Sequence, residues 1–114
     1  MNTGEHLWWV PNGDTPDWIK EHPALQGVEL PNTGRTSPPI TMPTATLLLS
    51  TEGTSGDPVL HALDKRTGAR VGTVELPAPG QYGMMSYMHQ GKQYIVVQVA
   101  SAEYRGALVA LALP

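Results

Sequence analysis

A chain of 114 residues can bury one modest core but is too short to hold a large multi-bladed ring by itself. Forty per cent apolar residues with fifteen per cent charged is a globular composition, and a formal net charge of −3 with no basic run argues against nucleic acid and anionic membranes as partners. The absence of Cys removes disulfides, thiolate metal sites and Cys nucleophiles, while twelve Gly and eleven Pro point to an all-β fold with many turns.

In chain order, His6 to Val10 is a short apolar run stopped by Pro11 and reads as a strand. The stretch 11–39 is dense in Pro, Gly, Asn and Thr and reads as a long excursion. Inside it, Asp14-Thr15-Pro16-Asp17-Trp18-Ile19-Lys20 predicts one short capped helical turn over 14–20. Four apolar segments follow at close spacing: Ile40 to Ala45, Thr46 to Thr51, Pro58 to Asp64 and Arg70 to Leu76. The turn signals at 52–57 and 65–68 make these an antiparallel four-stranded meander. After Pro77-Ala78-Pro79-Gly80 the pattern restarts, with Met84 to His89, Lys92 to Ala100 and Ala107 to Leu113 as three further strands. The expected organisation is a single domain over 1–114: a closing strand at 1–10, a loop at 11–39, a complete meander at 40–76 and a partial one at 83–114. No stretch approaches the ~20 apolar residues needed to span a bilayer, and the N-terminus lacks the basic-then-apolar pattern of a signal peptide.

The restart is informative, because self-similarity at a period of tens of residues signals a repeat architecture. Thr3-Gly4-Glu5-His6-Leu7-Trp8 is followed by Val10-Pro11, as Thr67-Gly68-Ala69-Arg70-Val71-Gly72 is followed by Leu76-Pro77. The fuller string Ala62-Leu63-Asp64-Lys65-Arg66-Thr67-Gly68 resembles the Ala-x-Asp-x-x-Thr-Gly-x-x-x-Trp repeat of quinoprotein propellers. In that family the Asp, Thr and Gly shape the turn between the third and fourth strands of a blade, and the Trp docks between blades. Trp8 takes the docking position in the first copy and Gly72 in the second. The segments at 4–8, 10–16, 22–25, 64–65, 91–97 and 108–114 together resemble the last part of the glucose dehydrogenase group of that family.

The resemblance implies a ring of eight four-stranded blades enclosing pyrroloquinoline quinone (PQQ) and a Ca²⁺ ion, in a periplasmic oxidoreductase acting on a sugar or an alcohol. It also implies that the base and the ion ligands lie in blades preceding this segment, so the isolated chain is expected to carry neither cofactor and no activity. Strand counting gives one blade-closing strand, one complete blade and three strands of another. A strand from one end commonly completes a propeller blade at the other. The expected partners are therefore the missing blades or other copies of the chain, four of which joined head to tail would supply eight blades. A small sandwich or barrel closed within one chain is the rival fold. A non-catalytic assembly module and a small metal-dependent oxidoreductase on a recruited β fold are the rival functions.

In such a blade the loops joining strands two and three share a face with those joining successive blades, and the resemblance implies that this face carries the cofactor. It nominates Arg35, Thr36 and Ser37 on the excursion, Gln81 and Tyr82 at the blade crossing, and Tyr104 and Arg105 near the end as cofactor-binding residues. Arg35 could clamp a carboxylate of the quinone. Glu52 and Asp57, in the Gly-rich loop on the same face, could share a cation, and Glu103 stands beside Tyr104. Met84, Met85 and Met88 at strand spacing read as core filler, and His6, His22, His61 and His89 are scattered without metal-ligand spacing.

Overall fold

The computed structural model describes residues 3–112, whose strands fall into two antiparallel meanders. The first sheet is β1 (Thr41–Pro43), β2 (Leu47–Thr51), β3 (Val59–Asp64) and β4 (Arg70–Glu75), paired in sequential order. The second is β5 (Gly80–His89), β6 (Lys92–Val99) and β7 (Ala107–Ala112), also sequential. Short polar corners suffice between antiparallel neighbours, and the β3–β4 corner illustrates how one is built. Asp64 Oδ1 accepts the backbone N–H groups of Arg66 and Thr67 at 2.9 Å each and the Thr67 hydroxyl at 3.1 Å. Gly68 then completes the reversal at φ 74°, a conformation that residues with a Cβ avoid.

The core lies between the sheets. Leu49 and Leu60 of the first sheet meet Val97 and Val99 of the second, and Leu76 and Ala78 of the crossing segment seal the join. The β2–β3 register, Leu49 opposite Ala62 and Thr51 opposite Leu60, puts these side chains on one face, as period-two alternation requires. Thr51 is fully buried, donates its hydroxyl to the Gly80 carbonyl at 3.4 Å and packs into the space that Gly80 leaves by having no side chain.

Several expectations need correction. β5 starts at Gly80, so Gln81 and Tyr82 lie within a strand and not in a crossing loop. Gly80 pairs with Val99 as soon as the Pro-rich crossing ends, and the register shifts between Gly80 and Met84, where Tyr82 takes φ 64°. This irregularity is how the ladder absorbs extra residues. His6 to Val10 forms no ladder with any strand among the described residues. Residues 1–2 of the expected first strand, and Leu113 at the end of the last, lie outside them. The helical turn is α1 (Asp17–Lys20), with Pro16 at its N-cap and no side-chain cap, because the Pro16 ring carries no hydrogen-bond acceptor; the buried Thr15 hydroxyl accepts the Thr33 N–H at 2.8 Å. A 3-10 turn at Pro23–Leu25 follows. Of the methionines, Met84 packs against the core, but Met85 and Met88 are exposed, since Met85 alternates to the face that no sheet covers and Met88 lies next to the hairpin tip.

Candidate functional site

Antiparallel order brings the β2–β3 connection (52–58), the entry to β1, the crossing at 76–79 and the β6–β7 connection (100–106) to one end of the sheets. The excursion is fastened to this same end. Its two limbs are zipped together: the Arg35 N–H donates to the Asn12 carbonyl at 2.7 Å, and the Asn32 amide donates to the Gly13 carbonyl at 3.0 Å. The Asn12 amide then reaches the carbonyls of Ser37 at 2.8 Å and Glu52 at 3.1 Å, and the Ser37 hydroxyl donates to the Glu52 carbonyl at 2.7 Å. A long loop closed on itself in this way is ordered by polar contacts where apolar packing is scarce.

Glu52 is the centre of the site. Its residue is only 4% exposed, and Gly13 and Gly56 leave the space that its side chain occupies. Oε2 accepts from Arg35 Nε at 3.1 Å and from the Asp57 N–H at 3.0 Å, while Oε1 lies 3.0 Å from His61 Nε2. On the other side of the ring, His61 Nδ1 lies 3.0 Å from the Thr73 hydroxyl, within hydrogen-bond distance. Arg35 also donates from Nη2 to Asp57 Oδ1 at 2.6 Å and from Nη1 to the Ser55 carbonyl at 3.3 Å. Burial pushes the Glu52 carboxyl up, but the hydrogen bonds from His61, the Asp57 N–H and Arg35 outweigh it and hold the group below the ordinary carboxylate range. Glu52 is therefore an ionised, internally neutralised carboxylate that ties β2, β3 and the excursion together.

The seven nominated residues all lie at or beside this end, in different states. Arg35 is half-buried and committed to Glu52, Asp57 and Ser55; Ser37 is buried and committed to Glu52. The Gln81 amide donates to the Ala100 carbonyl at 2.6 Å. Thr36, Tyr82, Tyr104 and Arg105 are exposed. Glu52 and Asp57 do meet: the Arg35 guanidinium bridges their carboxylates, and Glu52 accepts the Asp57 N–H. Among the described residues no group of three or more His, Asp or Glu side chains is arranged to hold a metal ion. His61 went unassigned in the sequence. The signal for it is register: Ser50 pairs with His61, and Glu52, two residues on, shares that face.

On the sheet face beyond His61, a cavity of about 430 Å³ is lined by Trp8, Asn12, Ser50, Leu63 and Arg70 among others. Trp8 is held there by its indole N–H, which donates to the Lys65 carbonyl at 3.0 Å, with the ring against Gly68.

Residues 1–95 match the family model described as glucose/ethanol/alcohol dehydrogenase, beta-propeller domain (PQQ). No curated protein and no solved structure gives a significant match to the chain.

Proposed function

Because the chain belongs to the PQQ-type glucose/ethanol/alcohol dehydrogenase β-propeller family, we propose that it serves as two successive blades of a quinone-dependent dehydrogenase ring, periplasmic as is usual for the family. In this role it supplies wall and mouth, and the reacting groups come from other blades. The observation that carries the reading is the seat of Trp8 on the Lys65 and Gly68 corner. It is a contact of the blade-to-blade type made by a segment that forms no ladder among the described residues, so a neighbouring blade fits against this face.

The residues present do not fit PQQ or Ca²⁺ as their holders. A quinone carboxylate would need the forked donors of Arg35, and these are taken by Glu52, Asp57 and Ser55. Ca²⁺ takes six to eight oxygen ligands, whereas the Glu52 oxygens face His61, Arg35 and a backbone N–H. No step of alcohol oxidation is therefore derived from these side chains. Their part is positional: the neutralised Arg35 and Glu52 pair holds the excursion against the sheet, and the exposed Thr36, Tyr82, Tyr104 and Arg105 line the mouth toward substrate.

The test is complementation. The purified chain with PQQ, Ca²⁺ and glucose should not reduce an electron-accepting dye. Co-expression with a family dehydrogenase truncated of its last two blades should restore dye reduction. Turnover by the chain alone, or no recovery on complementation, would reject the reading.

A further inference from the structure

We propose that this chain binds a second copy of itself by strand addition, residues 6–10 of one copy forming the fourth strand on β7 of the other. The proposal goes beyond the dehydrogenase reading and depends on no cofactor. One half of the junction is the outer edge of β7, which has no partner strand among the described residues, so its outward backbone N–H and C=O groups are open to an added strand. The other half is the 6–10 segment, which forms no ladder, although Leu7 and Trp9 are large, apolar and 85% and 80% exposed.

The segment has fourth-strand character in its own backbone. Aligning Thr3-Gly4 with Thr67-Gly68 places Trp8 on Gly72 and Trp9 on Thr73, and the two glycines share φ values of 73° and 74°. Residues 70–75 after the second corner form β4, so residues 6–10 after the first are set to form the same element once a third strand is offered. They do not find it among the described residues. Trp8 lies on the face of the first sheet that carries Leu48 and Leu63, whereas the second sheet packs on the opposite face, against Leu49 and Leu60. The first sheet stands between the segment and β7 of the same copy, so β7 can offer that third strand only to the segment of a second copy.

Register and side-chain fit follow. Leu63 pairs into the ladder with Leu48 and faces the Trp8 side; Leu111 pairs with Ile95 and faces the first sheet. Both therefore face the preceding sheet, and with Leu111 set as the counterpart of Leu63, Ala110 stands in the second sheet where Ala62 stands in the first. In the first sheet Ala62 opposes Gly72 and His61 opposes Thr73. The incoming Trp8 thus opposes Ala110, and Trp9 opposes Val109 on the face turned toward the first sheet. That face borders a cavity of about 620 Å³ lined by Leu60, Gly72, Val74, Ile95 and Leu111 among others. Gly72 offers no side chain to fill it, and the exposed indole of Trp9 has the size and polarity to do so. The junction is heterologous, head of one copy to tail of the next, so each copy carries both halves.

Light scattering across the micromolar range should give a mass that rises above the single-chain 12.3 kDa. Trp9→Asp removes the incoming side chain without touching the folded protomer, and Ala110→Arg blocks the seat opposite Trp8; each alone should return the mass to one chain. Mixing the two variants should give a complex of two chains, since one retains an intact edge and the other an intact segment. Trp18→Asp, at an exposed site on α1, should leave the wild-type mass unchanged. A peptide of residues 3–12 should compete, which tests the β7 edge even if Ala110→Arg fails to fold. A wild-type mass of one chain at every concentration, or an oligomer that survives Trp9→Asp and the peptide, overturns the proposal.

Discussion

The indole N–H of Trp8 donates to the Lys65 carbonyl at 3.0 Å, and the same ring covers Gly68 so closely that a Cβ there would lie 2.7 Å from Trp8 Cδ2 and Cε3. Gly68→Ala therefore meets two penalties. The left-handed φ of 74° disfavours any Cβ, and the added methyl must push aside a flat ring. Together these should lower the stability by about 2 kcal/mol in urea unfolding. Gly4→Ala is the control, because Gly4 has the same backbone, φ 73°, with nothing within 4 Å of its Cβ position. Equal losses at the two glycines would mean that the Trp8 contact contributes nothing.

Glu52→Gln keeps the shape of the site and removes the charge that faces Arg35 and His61. The expected loss is about 2 kcal/mol, since the hydrogen bond from the charged Arg35 weakens and a half-buried guanidinium loses its ionic partner, with Asp57 retaining the other end. The pH dependence has a definite sign. The Glu52 carboxyl is held below its ordinary value in the folded chain, so the unfolded chain takes up its proton first as pH falls. The stabilisation is thus complete above the unfolded value and is lost as pH drops through the folded one. Acid unfolding of the wild type should be steeper than that of Glu52→Gln below roughly pH 4.5. Superimposable acid limbs would remove Glu52 from the stability of this end.

Much of the fold was legible because period-two alternation and turn chemistry agreed: the Asp64-to-Gly68 corner, the 52–57 loop and the two meanders all follow from local signals. The site was legible only in part. Arg35, Glu52 and Asp57 were each singled out, but which pairs with which depends on how a loop of more than twenty residues folds back, and no local rule fixes that. His61 was within reach through the Ser50 register, yet its partner Thr73 required the next strand pairing as well. The β5 irregularity at Tyr82 had no composition signal, because a non-glycine residue there adopts the left-handed φ usually left to glycine or asparagine.

Asp64 sits on an exposed corner, where the backbone N–H of Arg66, then that of Thr67 and the Thr67 hydroxyl, hold its carboxyl below the ordinary range. Asp64→Ala should therefore loosen the corner without emptying any core. The expected result is faster amide exchange at Arg66 and Thr67, together with a red-shifted Trp emission as Trp8 loses its seat at Lys65 and Gly68. Exchange that speeds up while the emission holds would separate the corner from the docking.

Gly72 occupies the repeat position that holds Trp8 in the first copy, and it is the residue whose substitution should improve the lone chain. It lies inside β4 with a negative or extended φ, and a Cβ there would meet only Ala62 Cβ, at 4.0 Å. Gly in a strand interior sacrifices backbone order without packing in return. Gly72→Val should accordingly raise stability by about 0.5–1 kcal/mol, through a less disordered unfolded chain and a β-branched side chain at the edge of the neighbouring cavity. The same side chain narrows the space proposed for Trp9 of a second copy. Stability and association should thus move in opposite directions, the unfolding midpoint rising while the concentration needed for a mass above 12.3 kDa also rises. A Gly72→Val chain that gains stability and associates as before would place the incoming indole elsewhere, and one that loses stability would show that β4 tolerates no side chain at this position.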